Sequence, residues 1–265
     1  MVNKILSHGK RIFTEPQGSV ISAATIIMIM VIASRVLGLV RQRVLAYFFV
    51  PEELSLFFAA FRLPDLIFEV LVFGTFSSAF IPVFTKALKK GRGEAWNVAG
   101  RVVNIGLLLF IVFATLVGIF AKEIYGLVAP GYSQTDIEQI ANLARILFAA
   151  QGFFVVSYVL TGVLESLRRF LIPALAPVFY NVGIILGTIF LAPKFGLAAP
   201  AIGVVIGAFC HLLIQLPLAV KLGFKFVPSI AANDEVKEIG KLSGPRIVDL
   251  SFEQVQKTAE LFLAS

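Results

Sequence analysis

Charged side chains inside long apolar runs are the residues of this sequence most able to do chemistry. Arg35 interrupts the first apolar run, and Arg62, Asp65 and Glu69 follow at spacings of three and four in the second. On a helix, that spacing places the three side chains on one face. Ionisable groups are costly in hydrocarbon and usually face a protein interior or water. The pattern therefore predicts a charged surface inside a membrane protein, where guanidinium groups can hold phosphate oxygens through paired donors.

Each of these residues also has an interpretation without a ligand. Arg35 lies toward the outer end of its helix, where a long side chain can snorkel to the headgroups. Arg62, Asp65 and Glu69 can neutralise one another as an internal salt-bridge cluster. His211, inside the last long apolar run, can be a packed or hydrogen-bonded residue rather than a proton carrier. The residues alone leave these alternatives open.

Catalytic motifs are missing from the sequence. It contains no glycine-rich phosphate loop, nucleophile elbow, HExxH pair or aspartate-rich magnesium cluster. The single Cys210 excludes an intramolecular disulfide, and His8 and His211 are too far apart for a local metal motif. We therefore expect a protein that is not an enzyme and that uses no cofactor and no metal.

The elements that must position the charged residues are membrane helices. Of the 265 residues, 58% are hydrophobic and only 15% are charged, whereas soluble domains carry roughly 25% charged residues. Six runs without Asp, Glu, Lys or Arg are long enough to propose spanning helices, since about 20 residues cross the hydrocarbon layer. These runs are 16–34, 70–85, 102–121, 146–164, 170–193 and 195–220. We predict an all-α, polytopic membrane helix bundle.

The same patterns divide the chain. We predict a cytoplasmic N-terminal segment at 1–18, a six-helix transmembrane lobe at 19–221, a cytoplasmic linker with a short helix at 222–245 and the start of a seventh helix at 246–265. The second helix must begin well before Val70, because residues 54–61 are also apolar.

The last segment has a charged stripe. Its members recur at intervals of three and four, opposite an apolar face, and they are Arg246, Asp249, Glu253, Lys257 and Glu260. The alternative is an amphipathic helix on the membrane surface. No polar tail or helix-ending signal precedes Ser265, so we expect the sequence to continue beyond it.

Lysine and arginine bias predicts the orientation. With a cytoplasmic N-terminus, the inner segments hold 14 Lys and Arg residues and the outer segments five. Arg41 and Arg43 are exceptions near an outer helix end. The net charge of +7 comes from basic residues that lie between the apolar runs, where they indicate the orientation of the helices in the membrane. No nucleic-acid partner is therefore expected.

Several motifs resemble one known family. SRVLGLVRQRVLAYFF at 34–49, FFAAFRLPDLI at 57–67 and GTFSSAFIPVF at 74–84 closely resemble the MurJ/MviN family of lipid II flippases. VAPGY at 128–132, RRFLIPALAPVFYN at 168–181 and QLP at 215–217 follow in the same order. The resemblance covers nearly the whole chain from Ser34 onward.

The resemblance implies a fold and a function. It implies two lobes around a central cavity, of which this chain supplies the N-terminal lobe. It also implies alternating access to the two faces of the bacterial plasma membrane and an undecaprenyl-diphosphate-linked precursor, lipid II, as partner. Arg35 and Arg41 match the two arginines of the SRVLGxxR block and are expected to contact the diphosphate. The expected partners are thus lipid II, the bilayer and a C-terminal lobe of the same protein.

The sequence departs from the family at three places. Phe68 and Glu69 stand where the family commonly has two arginines, Phe73 stands at an acidic position, and Ser55 replaces another acidic residue. Arg62 compensates in part as the basic residue before LP. The expected substrate-binding residues are accordingly Arg35, Arg41, Arg62, Asp65 and Glu69.

Two further classes of function stay open. One is a related exporter of another polysaccharide precursor or of drugs. The other is a membrane scaffold that does not transport and is retained for its interactions. A second lobe with its own cavity arginines favours transport.

Overall fold

The computed structural model describes residues 20–73, 79–224, 226–231 and 233–264. Within these ranges the chain is helical and forms no strand. In chain order the helices are Val20–Phe48 (α1), Pro51–Ala60 (α2), Arg62–Phe68 (α3), Ile81–Lys90 (α4), Arg92–Ile119 (α5), Ala121–Val128 (α6), Gln134–Ser166 (α7), Leu171–Phe195 (α8), Ala198–Lys221 (α9) and Asp234–Ala264 (α10). A π-helical segment, Glu69–Phe73, continues α3 directly.

The predicted all-α membrane bundle is confirmed. Five of the described helices are long and apolar enough to span a bilayer: α1 from Ala24, α5, α7, α8 and α9. Each contains most of one of the charge-free runs, because a helix needs about 20 apolar residues to cross. Pairs of neighbouring helices (α1 with α8, α8 with α9, α9 with α7, and α7 with α5) pack along one side of the lobe.

Glycines bring α8 and α9 into close contact, as their four-residue spacing predicts. A Cβ on Gly183 would lie 2.4 Å from Gly207 Cα, and one on Gly187 would lie 2.4 Å from Gly203 Cα. Both distances are impossible for real side chains. Only glycine allows the two backbones to approach this closely, in the manner of small-residue membrane contacts.

The second predicted span is not one continuous helix. It is a series of α2, α3, the π-helical segment and α4, with residues 74–78 outside the described ranges. Pro64 has no N–H to donate to the carbonyl of Ala60. The buried Tyr125 hydroxyl donates to that carbonyl instead, at 2.8 Å. The break is therefore stabilised by α6, and the sixth crossing of the bilayer stays a prediction.

The last helix also differs from the prediction. A short helix before residue 246 and a separate helix after it were expected, but α10 runs through Pro245 without interruption. Contacts on both sides of the proline hold it. Before it, Lys86 and Lys90 of α4 pair with Glu238 at 3.0 Å and Glu235 at 2.7 Å. After it, α10 contacts the charged face of α3.

Some predictions fall outside the described residues. The cytoplasmic segment at 1–18 and the first five residues of the GTFSSAFIPVF motif, 74–78, are among them. The side chains of Phe73 and Arg246 are also outside what is described.

Candidate functional site

The charged face of α3 lies against α10. Arg62 Nη2 donates to the backbone oxygen and to Oε1 of Gln254, both at 2.9 Å. Its Nε and Nη2 each lie 3.4 Å from Thr258 Oγ1. The guanidinium is thus held mainly by neutral oxygens rather than by a carboxylate. Arg62 thus joins α3 to α10 through uncharged hydrogen-bond acceptors.

Glu69 lies about two helical turns after Arg62 and also faces α10. Lys257 Nζ lies 3.2 Å from Glu69 Oε2 and 2.9 Å from Glu253 Oε1. Gln254 Nε2 also donates to Glu69. Lys257 thus pairs with both Glu69 and Glu253. The α10 stripe therefore turns at least Lys257 toward the lobe rather than toward a membrane surface.

Asp65 faces α7 instead. Its Oδ1 accepts a hydrogen bond of 2.6 Å from Gln151 Nε2. Gln151 is buried, and its Oε1 has no hydrogen-bond partner within the described part of the chain. Arg62 and Glu69 thus share Gln254 of α10, whereas Asp65 bonds to α7, and the internal salt-bridge cluster is not what the structure forms.

Arg41 and Asp65 line one cavity, whose volume is about 330 Å³. Arg41 comes from α1, one heptad after Ser34, whose Oγ accepts a hydrogen bond of 3.2 Å from Asn181. Residues seven apart share a helix face, so contact between α1 and α8 turns Arg41 toward the cavity. The remaining lining is apolar and aromatic: Leu45, Phe57, Phe58, Phe61, Tyr180, Ile184 and Val204.

Arg35 is not part of this cavity. Its side chain is exposed on another side of α1. Phe68, the other departure from the family pattern, is buried and contacts Phe154 and Tyr158 through its ring. Ser55 is exposed, and its hydroxyl bonds to the Glu52 carbonyl at 2.6 Å. The structure thus brings together Arg41 and Asp65 around a cavity, and Arg62 and Glu69 at the α10 contact.

His211 belongs to a buried polar network between α7 and α9. Its Nδ1 lies 2.6 Å from Ser157 Oγ, which accepts a hydrogen bond of 2.7 Å from Gln215. Thr161 donates to Gln215 Oε1 at 2.9 Å. The ring also stacks on Tyr158. This is the hydrogen-bonded arrangement that the sequence allowed for His211.

Sequence reasoning missed the neutral partners of the charged residues. Gln151, Gln254 and Tyr125 contact the α3 region, yet each is separated from it by long stretches of chain. The available signal was a lone amide or hydroxyl inside an apolar helix, which needs a partner there. Because such residues are frequent, that signal does not select them by itself.

The arrangement suits the binding of an anion. Arg41 places a cation at an aromatic-lined cavity, and a guanidinium stays charged even when it is partly desolvated. Among the described residues, no cluster of three or more His, Cys, Asp or Glu side chains is placed to hold a metal ion.

Comparisons with known proteins give a consistent result. A family model described as lipid II flippase MurJ matches residues 44–265. The probable lipid II flippase MurJ of Buchnera aphidicola subsp. Acyrthosiphon pisum (strain APS) is 30% identical over 236 residues, which are 86% of this chain and 46% of that protein. The probable lipid II flippase MurJ of Vibrio cholerae serotype O1 is 30% identical over 266 residues, or 94% and 49% of the two chains.

Solved structures agree. A lipid II flippase MurJ in an inward closed conformation is similar with a TM-score of 0.73 and 27% identity, covering 89% of this chain and 50% of that one. A MATE structure has a TM-score of 0.60 at 18% identity, covering 90% of this chain and 55% of that one, which shows a shared fold alone. The chain spans about half the length of the curated relatives it matches. It is a multi-pass membrane protein that belongs to the MurJ family of lipid II flippases.

Proposed function

We propose that this chain forms the N-terminal lobe of a transporter that moves lipid II from the cytoplasmic to the outer face of the bacterial plasma membrane. The observation that carries the proposal is the Arg41 cavity in a chain of this family. A diphosphate crossing the bilayer must exchange water for fixed donors, and Arg41 supplies such donors beside an apolar wall.

Within this proposal, Arg35, Arg41 and Arg62 contact the diphosphate. Asp65 and Glu69 set the local charge and geometry. Arg62 is held by Gln254 and Thr258 of α10, so its contact with the substrate requires α10 to move away from α3. Such a movement fits alternating access, in which helices at the cavity change partners between states.

The orientation and the partners are part of the proposal. The N-terminus is cytoplasmic, and the α4–α5 connection lies on the same side. A second lobe of similar size faces the cavity and completes it, since the relatives are about twice as long as this chain. The protein changes no covalent bond in its substrate and is therefore a transporter rather than an enzyme.

Three alternatives make different demands on the cavity. A drug exporter for cations would use Asp65, which lines the same cavity, as the counter-charge and would not need Arg41. An exporter of another diphosphate-linked precursor uses the same arginines and differs in what it recognises beyond the diphosphate. A scaffold needs neither the arginines nor the cavity.

The test is complementation by the native gene product in cells depleted of their own lipid II flippase. Growth should be restored, and lipid II should become accessible to a membrane-impermeant hydrolase added outside the cells. Growth without outward exposure of lipid II would favour an exporter of another diphosphate-linked precursor. Absence of growth from a well-expressed membrane protein would favour the scaffold.

A further inference from the structure

An apolar groove lies between α5 and α7, away from the Arg41 cavity. Its volume is about 740 Å³, within the roughly 300–1,000 Å³ of small-molecule sites. Small residues of the two helices keep it open: Ala114 and Gly118 on α5, and Ala149 and Gly152 on α7. None of the residues proposed to bind the transported substrate lines it.

The length of the groove matches one leaflet of a bilayer. Its lining runs from Leu107 to Ile119 on α5 and from Arg145 to Val156 on α7. At 1.5 Å per residue, these stretches are about 17–18 Å long, slightly more than half of the roughly 30 Å hydrocarbon layer. The Gly118 end lies close to the end of the uncharged run at 102–121. The groove therefore extends from one membrane surface to about the bilayer midplane.

A fixed cation stands at the surface end. Arg145 Nε donates to the Gly118 carbonyl at 2.8 Å, and Nη1 donates to Asn142 Oδ1 at 2.7 Å. Among the described residues, Nη2 has no hydrogen-bond partner and no carboxylate lies within ion-pair distance of Arg145. Glu138, two turns earlier, pairs with Lys122 at 2.8 Å. Arg145 thus presents an oriented guanidinium that forms no direct ion pair with a described carboxylate.

We propose that this groove binds an anionic phospholipid, with one acyl chain between α5 and α7 and the headgroup phosphate on Arg145. The apolar lining, the length of one leaflet and the cation at the surface end are the three features that such a lipid requires. A zwitterionic lipid offers a phosphate too, but its ammonium group opposes Arg145. With the N-terminus in the cytoplasm, the lipid belongs to the outer leaflet.

The test is native mass spectrometry of the purified gene product, titrated with phosphatidylglycerol or with phosphatidylcholine. One phosphatidylglycerol should bind preferentially. Arg145→Gln should weaken its binding about tenfold, as expected for loss of one charge-assisted contact. Arg145→Lys should weaken it less, because the charge remains.

Two further variants separate lipid binding from folding. Arg145→Gln also removes a partner of the Gly118 carbonyl, so Ala149→Phe is tested as well, because it fills the groove from an exposed position. It should abolish the preferential binding. Lys194→Gln removes one exposed cation at the end of α8 and should leave binding unchanged. Equal binding of both lipids would overturn the proposal. So would preferential binding that Ala149→Phe leaves intact, because the lipid would then bind outside the groove.

Discussion

Arg35 and Arg41 belong to one sequence block, yet they lie on different sides of α1. They are six residues apart, so at 100° per residue their side chains point about 120° away from each other. The contact of Ser34 with Asn181 fixes which side of α1 faces α8. This contact turns Arg41 toward the cavity and leaves Arg35 exposed.

Replacing Arg41 should abolish transport without preventing membrane insertion. Losing a desolvated phosphate contact costs on the order of a few kcal/mol, because the anion is left without its partner. We expect Arg41→Ala and Arg35→Ala each to eliminate complementation. Arg35→Lys should impair growth, since lysine lacks the paired donors.

The matched control is Arg43→Ala, an exposed arginine on the same helix. It should support growth like the parent protein. If Arg41→Ala also supports full growth at normal expression, the arginine reflects topology or solvation and the binding site lies elsewhere.

Replacing Tyr125 should destabilise the break between α2 and α3. Tyr125→Phe removes the donor to the buried Ala60 carbonyl, and an unsatisfied buried acceptor costs about 1–3 kcal/mol. The measurement is thermal unfolding of the detergent-solubilised protein. Tyr47→Phe, at an 81% exposed position, is the control. Equal stability of the two variants would mean that the carbonyl needs no protein donor.

At the scale of elements, the apolar runs predict the long helices but not the interruptions. In hydrocarbon, a run of about 20 uncharged residues is stable as a helix, because a helix satisfies its own backbone hydrogen bonds. The α2–α3 break depends instead on Tyr125, a hydroxyl brought there by tertiary contacts. Likewise, α10 passes Pro245 because salt bridges and polar contacts hold both halves. Sequence patterns local to a segment do not contain such partners.

The glycine contact between α8 and α9 should tolerate no added methyl group. In Gly183→Ala the Cβ would meet the Gly207 backbone at 2.4 Å, so the helices must separate. Overpacking of this kind typically costs about 1–3 kcal/mol. Gly38→Ala is the control, because its Cβ would have nothing within 4 Å. Thermal unfolding should show a loss of stability only for Gly183→Ala.

The α4–α10 contact should loosen only in acid or strong alkali. The hydrogen bond from Lys90 lowers the pKa of Glu235, and the same bond raises the pKa of Lys90. Glu235 therefore stabilises the contact above its ordinary value of 4.5, and this is lost as pH falls through its lowered pKa. Lys90 contributes below its ordinary value of 10.5 until pH rises through its raised pKa.

Hydrogen exchange in the first turns of α10 measures this pH dependence. After correction for intrinsic exchange rates, protection should be constant near neutral pH and fall below about pH 4. Glu235→Gln should show lower protection at pH 7 and a weaker acid transition. An acid transition that is identical in Glu235→Gln would assign it to another group, such as Glu238.

At the scale of the whole molecule, the charged residues were predictable and their partners were not. Arg62, Asp65 and Glu69 stand out because charge is costly in an apolar run. Their shared face suggested mutual pairing, but the surrounding helices supply Gln151, Gln254 and Lys257 instead. Helices α7 and α10 reach α3 only through the folding of the whole lobe. Hence the sequence locates the charges, whereas their roles depend on the assembled bundle.

The last prediction concerns the orientation of the lobe. With 14 Lys and Arg residues on one side and five on the other, the positive-inside rule places the α4–α5 connection in the cytoplasm and the α6–α7 connection outside. In a Cys210→Ser background, the variant Tyr132→Cys should react with a membrane-impermeant maleimide in intact cells. Lys89→Cys, at an exposed position of α4, should react only after permeabilisation. Lys194→Cys, at the far end of α8, serves as a second outside position. If Lys89→Cys reacts in intact cells while Tyr132→Cys is protected, the lobe is inverted, and the Arg145 groove then opens to the cytoplasmic leaflet.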